Sequence, residues 1–62
     1  MLPKFVKELL KTKSFTDSEI ELIDSNWFLY ADQGFRFSSA SDRQIVRECA
    51  IVLECAREVE NA

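Results

Sequence analysis

The clearest alternation of apolar and polar positions lies between Ser41 and Glu60. This run contains no Gly or Pro, and its apolar residues recur at steps of three and four, the spacing of one stripe along an α-helix. The stripe consists of Ile45, Cys49, Val52, Ala56 and Val59, flanked by Val46, Leu53 and Cys55. The pattern predicts a long C-terminal helix over residues 41–60 with one face turned towards a core.

Two residues break the pattern of this helix. Ile51 falls on the charged side, and Glu48 falls inside the apolar arc. We interpret Glu48 as a carboxylate at the rim of the core that reaches water or a cation. Ile51 is either a single exposed aliphatic residue, which is normal on protein surfaces, or part of a second contact surface.

The N-terminal half carries two further helix signals. Pro3 suits the first turn of a helix because its missing N–H costs nothing there, and apolar residues follow at helical spacing, so a first helix is predicted over residues 3–11. Thr16 followed three residues later by Glu19 is a capping box, which predicts that a second helix begins at Asp17.

The end of this second helix can be read in two ways. Aromatic density favours strands, so residues 27–30 and 35–37 are predicted to pair as a β-hairpin, with residues 31–34 as a turn that ends in a left-handed Gly34. The fold is then α+β: two short N-terminal helices, an aromatic hairpin and a long C-terminal helix. The alternative is that the second helix continues to a C-cap at Gly34, which gives an all-α three-helix bundle.

A short polar joint over residues 38–41 precedes the C-terminal helix. Either Ser41 with Gln44 or Ser39 with Asp42 can cap that helix. The last two residues, 61 and 62, are expected to fray.

Length and composition favour one small folded domain over residues 1–62. The chain has 62 residues, 47% of them hydrophobic, and a net charge of -3. A core of this size supplies only about 3 to 5 kcal/mol, so further support from self-association or another protein is expected. Cys49 and Cys55 lie about 9 Å apart along the predicted helix, too far to bridge each other, which favours a reducing, cytoplasmic environment.

The chemistry that the chain lacks argues against an enzyme. It has no His and only one glycine, Gly34. The commonest general base and metal ligand is therefore absent, and no glycine-rich phosphate loop can form. No catalytic residue, cofactor or metal ion is expected, and the longest apolar run, residues 49–53, is too short to span a membrane.

Charge is distributed unevenly along the chain. Residues 1–15 carry four Lys against one Glu, whereas residues 16–62 carry four Arg against ten acidic residues. This layout favours self-association or a protein partner over nucleic acid. Lys4, Lys7 and Lys11 form a candidate basic face on the first helix, although a solvated face is the simpler interpretation.

The favoured functional hypothesis is a non-enzymatic protein-interaction module that forms a homodimer or binds another protein, of the kind found as small accessory or regulatory proteins of phages or plasmids. Five large aromatic residues within eleven positions are more than one face of a hairpin can cover. Trp, Tyr and Arg dominate binding hot spots. The candidate partner-binding residues are Trp27, Phe28, Tyr30, Arg36 and Ile51.

The alternative function is a small DNA-binding, transcription-regulatory protein of helix-turn-helix type. Two helices joined by a short turn and followed by a hairpin have the element order of such a protein with a wing. The second helix, however, carries Asp17, Glu19, Glu21 and Asp24. Acidic residues on a recognition helix repel the phosphates that supply most of the affinity for DNA.

Overall fold

The computed structural model describes residues 1–60, so the expected fraying of residues 61 and 62 lies outside the described part. Three α-helices follow one another along the chain, with one short 3-10 turn before the last of them. They are α1 (Lys4–Thr12), α2 (Asp17–Tyr30) and α3 (Asp42–Glu60), and the 3-10 turn is Phe37–Ser39. The fold is all-α.

The predicted α+β fold with a β-hairpin is wrong. Within residues 1–60 no strand forms, and residues 27–30 are the last turn of α2. Ile20, Ile23, Trp27 and Tyr30 succeed one another at steps of three and four, so continuing the helix keeps all four on the side that packs against the core. Strand propensity reflects packing more than an intrinsic backbone preference, and here helical packing prevails.

The alternative of three helices has the correct elements but the wrong end for α2. The helix stops at Tyr30 with Ala31 as its C-cap, and the Ala31 N–H donates to the Trp27 carbonyl at 3.0 Å. Gly34 does not have a positive φ. Its N–H instead donates to the Asp32 Oδ1 at 3.0 Å, which turns the chain away from the helix.

The capping box predicted at Thr16 is present, and of the two caps left open for α3 the structure forms the one between Ser41 and Gln44. The Glu19 N–H donates to the Thr16 Oγ1 at 3.1 Å, and the Thr16 N–H donates to the Glu19 Oε1 at 2.8 Å. Ser41 and Gln44 form the same reciprocal pair at the start of α3, at 2.8 and 3.2 Å. Each pair satisfies two backbone donors that would otherwise have no partner in the helix.

The core lies where the three helices meet. The predicted stripe of α3 is buried except at its end, where Val59 is 60% exposed. The fully buried aliphatic and thiol side chains come from all three helices: Val6, Leu10, Ile23, Ile45, Cys49 and Val52. Partly buried aromatic residues extend this core towards the C-terminal end of α2.

Aromatic rings hold the connection between α2 and α3. The Trp27 and Phe37 rings stack with centroids 5.0 Å apart, and Phe35 meets both rings edge-on at 6.1 and 5.3 Å. Phe5 of α1 meets Phe37 edge-on at 6.4 Å. Because each ring pair adds about 0.5 to 1.5 kcal/mol beyond area burial, the irregular connection is fixed without regular backbone pairing.

Among the described residues, three hydrogen bonds from or to side chains join segments that are distant in sequence. The Leu2 N–H donates to the Asp24 Oδ1 at 2.6 Å, and the Asp32 N–H donates to the Glu48 Oε2 at 2.8 Å. The Arg57 guanidinium donates to the Glu19 carboxylate. Glu48, which we expected to reach water or a cation, therefore binds a backbone N–H just beyond the end of α2.

Replacing Asp24 is expected to destabilise the fold by about 2 kcal/mol, because a hydrogen bond to a charged group contributes about 1.5 to 3 kcal/mol. The Leu2 N–H bond and the charge of Lys7, whose Nζ lies 3.4 Å from the Asp24 Oδ2, hold the pKa of Asp24 below its ordinary value of 3.8. A lowered folded pKa gives stability that is present above pH 3.8 and is lost as the pH falls through the folded pKa.

Urea denaturation of the wild type and Asp24→Ala at neutral and acidic pH measures this contribution. The difference in the free energy of unfolding between the two proteins should shrink as the pH falls. Glu54→Ala, which removes an exposed carboxylate, is the matched control and should change stability by less than about 0.5 kcal/mol. A loss in Asp24→Ala no larger than in Glu54→Ala would contradict the assigned role.

Candidate functional site

The predicted partner-binding residues differ in how far they reach the surface. Phe28 is 89% exposed and Ile51 is 47% exposed. Arg36 is also exposed, whereas Trp27 and Tyr30 are partly buried and pack against the core. Trp27 and Tyr30 therefore support the fold, while Phe28, Arg36 and Ile51 are free to meet a partner.

An open depression of about 340 Å³ brings three of these residues together at the C-terminal end of α2. Its walls combine aromatic and apolar side chains with polar and charged ones. The lining residues are Trp27, Phe28, Ala31, Asp32, Gln33, Phe35 and Arg36. Leu29, which sequence reasoning missed, follows Phe28 and is 72% exposed. We call Phe28, Leu29 and this depression the Phe28 patch.

Ile51 does not line this depression. It borders a second hollow with Phe35, Gln44, Arg47 and Glu48. Phe35 lines both hollows, so the two surfaces adjoin. The structure therefore brings Trp27, Phe28 and Arg36 together and leaves Ile51 at the neighbouring hollow.

The predicted basic face of α1 is partly neutralised within the molecule. The Lys7 Nζ lies 3.4 Å from the Asp24 Oδ2, and the Lys11 Nζ lies 3.9 Å from the Asp17 Oδ1. Lys4 remains exposed. A face made of these three lysines therefore offers an external anion less charge than the sequence suggests.

A different set of cations surrounds the N-terminal half of α3. Arg43 and Arg47 lie one turn apart and are exposed, and neither forms an ion pair within residues 1–60. Lys13 lines a hollow of about 450 Å³ together with Asp42, Arg43 and Val46, so the end of α1 adjoins this part of α3.

The signal for this site was present in the sequence. Residues 36–47 contain three Arg and one Asp. A division of the charge at residue 15 concealed this basic segment inside an acidic remainder. We call Lys13, Arg43 and Arg47 the α3 basic cluster.

The side chains that could carry chemistry are few. Burial, and secondarily the charge of Glu48, raise the pKa of the Cys49 thiol to about 12. Cys55 is partly buried, and both thiols are free. No group of three or more His, Cys, Asp or Glu side chains that could hold a metal ion occurs among residues 1–60. Over the same residues, no helix has the length and apolar character needed to cross a bilayer.

The two thiols should react with Ellman's reagent at very different rates. Cys49 is fully buried and its raised pKa leaves almost no thiolate at pH 8, so it should react only when α3 opens. Cys55 should account for the one fast thiol, and Cys55→Ser should abolish the fast phase while leaving the slow one. Two fast thiols in the folded wild type would contradict the burial of Cys49.

Comparison of the chain with protein-family models, with curated proteins and with solved structures finds no match.

Proposed function

We propose that this protein is a small, non-enzymatic DNA-binding protein of regulatory type that approaches the duplex with the N-terminal half of α3. The observation that carries the proposal is the α3 basic cluster, in which Arg43 and Arg47 are exposed on one helix without ion-pair partners among the described residues. Duplex DNA attracts such a cluster through its phosphates. The proposal keeps the cytoplasmic location expected from the sequence.

The three-helix architecture is compatible with DNA binding through an exposed helix and does not require the wing that a β-hairpin would have supplied. Three-helix DNA-binding domains present the N-terminal residues of one helix to the base edges in the major groove. α3 is the longest of the three helices, and its first two turns have an exposed polar side. The connection over residues 31–41 is longer than the tight turn of a helix-turn-helix, so the similarity concerns the exposed helix and not that turn.

In the sequence analysis, the acidic residues of α2 argued against DNA binding because they repel phosphates. This repulsion concerns α2 as the recognition helix and has less force when α3 approaches the DNA. Three of the carboxylates of α2 are engaged internally: Asp17 by Lys11, Asp24 by Lys7 and Glu19 by Arg57. Exposed charges further apart than about 8 Å are largely screened at physiological ionic strength. The cations near the start of α3 therefore act on a nearby phosphate more strongly than the net charge of -3 implies.

Different members of the cluster suit different contacts. A guanidinium can bind guanine with two hydrogen bonds or can pair with a phosphate, so Arg43 and Arg47 are candidates for either contact. Lys13 is a candidate for a phosphate contact that positions the helix. Gln44 is less available, because its Oε1 accepts the Ser41 N–H in the helix cap.

Replacing both arginines by Ala should weaken DNA binding about tenfold or more, since each good contact contributes about 1 to 3 kcal/mol. Fluorescence anisotropy with a labelled duplex of mixed sequence, titrated with protein to about 100 µM at low salt, covers the usual range of non-specific affinity. The salt dependence of the affinity should also fall by about one unit of slope for each phosphate contact removed.

Arg57→Ala is the matched control. It removes one positive charge from the same helix, as Arg43→Ala and Arg47→Ala each do singly, about 21 Å from Arg43 at 1.5 Å per residue. DNA binding that is lost equally in the control, or no binding by the wild type at low salt, would contradict the proposal. The function that then remains is the protein-interaction module expected from the sequence, with Phe28 at its centre.

A further inference from the structure

We propose that the Phe28 patch is where a second copy of this chain docks, across a two-fold axis. This inference goes beyond DNA binding and does not depend on it. It concerns the surface at the C-terminal end of α2, and it is tested without DNA.

The Phe28 patch exposes apolar side chains that a binding partner would cover. Phe28 and Leu29 are 89% and 72% exposed and are consecutive in the chain. Covering apolar surface yields about 25 cal/mol per Å², and aromatic residues yield the most because they bury 150 to 250 Å² each, to order of magnitude. The core of this chain contains only about ten buried hydrophobic side chains. Burying further apolar surface in a dimer therefore adds proportionally more stability here than in a large protein.

The shape of the patch favours a symmetric pair of copies. The projecting Phe28 ring and the hollow lined by Trp27, Ala31 and Phe35 belong to the same face. In a two-fold interface each copy uses the same surface, so the Phe28 ring of each copy can enter the hollow of the other. Because this arrangement closes on itself, it yields a dimer and not an open filament.

Charge complementarity selects the same occupant. The hollow carries one carboxylate, Asp32, and one guanidinium, Arg36, and neither forms an ion pair within residues 1–60. A two-fold axis can set Asp32 opposite the partner's Arg36 and Arg36 opposite the partner's Asp32. The patch is thereby complementary to itself, and two reciprocal ion pairs next to apolar surface fix the orientation of the dimer.

Analytical ultracentrifugation of the purified chain, without DNA, tests the dimer. The wild type should associate in a concentration-dependent way, and Phe28→Gln should weaken the association about thirtyfold or more, the loss expected for a hot-spot residue. Val59→Gln is the matched control, because Val59 is also an exposed apolar residue of a helix but lies outside the patch. It should leave the association unchanged.

A charge exchange tests the orientation. Arg36→Asp should weaken the dimer because it sets two carboxylates against each other, and Asp32→Arg should do the same with two guanidinium groups. The double variant Asp32→Arg/Arg36→Asp should restore association, since the reciprocal pairs re-form with exchanged partners. Circular dichroism checks that each variant remains helical, since Asp32 also accepts the Gly34 N–H.

Three results would overturn the dimer. The first is a wild type that stays monomeric up to about 1 mM, a concentration that corresponds to a binding free energy of only about 4 kcal/mol. The second is a Phe28→Gln variant that associates as well as Val59→Gln. The third is a folded double variant that associates no better than the single variants. A protein that binds DNA but stays monomeric would retain the proposed function and lose only this inference.

Discussion

The stacking of Trp27 on Phe37, with ring centroids 5.0 Å apart, is the contact on which the arrangement of the molecule depends. The connection over residues 31–41 contains only one short 3-10 turn, so side chains must define its path. The stack, the edge-on Phe35 and the Asp32 to Glu48 hydrogen bond together hold that path against α2 and α3. The path of the connection therefore determines which side chains stay exposed at the end of α2 and at the start of α3.

Electrostatics in this protein are decided by which charges are already paired. The ion pairs of the described residues engage Lys7, Lys11 and Arg57 with carboxylates of α2. The cations between residues 36 and 47 are not engaged in this way. The net charge of -3 is therefore a poor guide to which ions or molecules each part of the surface attracts. The basic character of the start of α3 becomes visible only when the charges that are paired within the molecule are left out of the count.

Local signals predicted the helix starts well and the middle of the chain badly. The capping boxes at Thr16 and Ser41 depend on residues three apart, and the stripe of α3 depends on a single period, so both can be read without tertiary information. Trp27 stays in the helix because it shares the face of Ile20 and Ile23, which the sequence does show, and because it packs on the rings of Phe35 and Phe37, which no local rule shows. The pairing of Lys7 with Asp24 joins residues of different helices, so it could not be read from the sequence. The cluster around Arg43 was missed because the charge was divided at residue 15.

The tie between Glu19 and Arg57 joins residues 38 positions apart, the first turn of α2 and the last turns of α3. Because it closes a segment of 38 positions, whose closure costs conformational entropy, we expect it to form late in folding. Most other contacts link helices that are neighbours in the chain, a topology that folds in microseconds to milliseconds in small helical proteins. An interaction that is absent from the folding transition state slows unfolding more than it speeds folding, so we expect this exposed pair to act mainly on the lifetime of the folded chain.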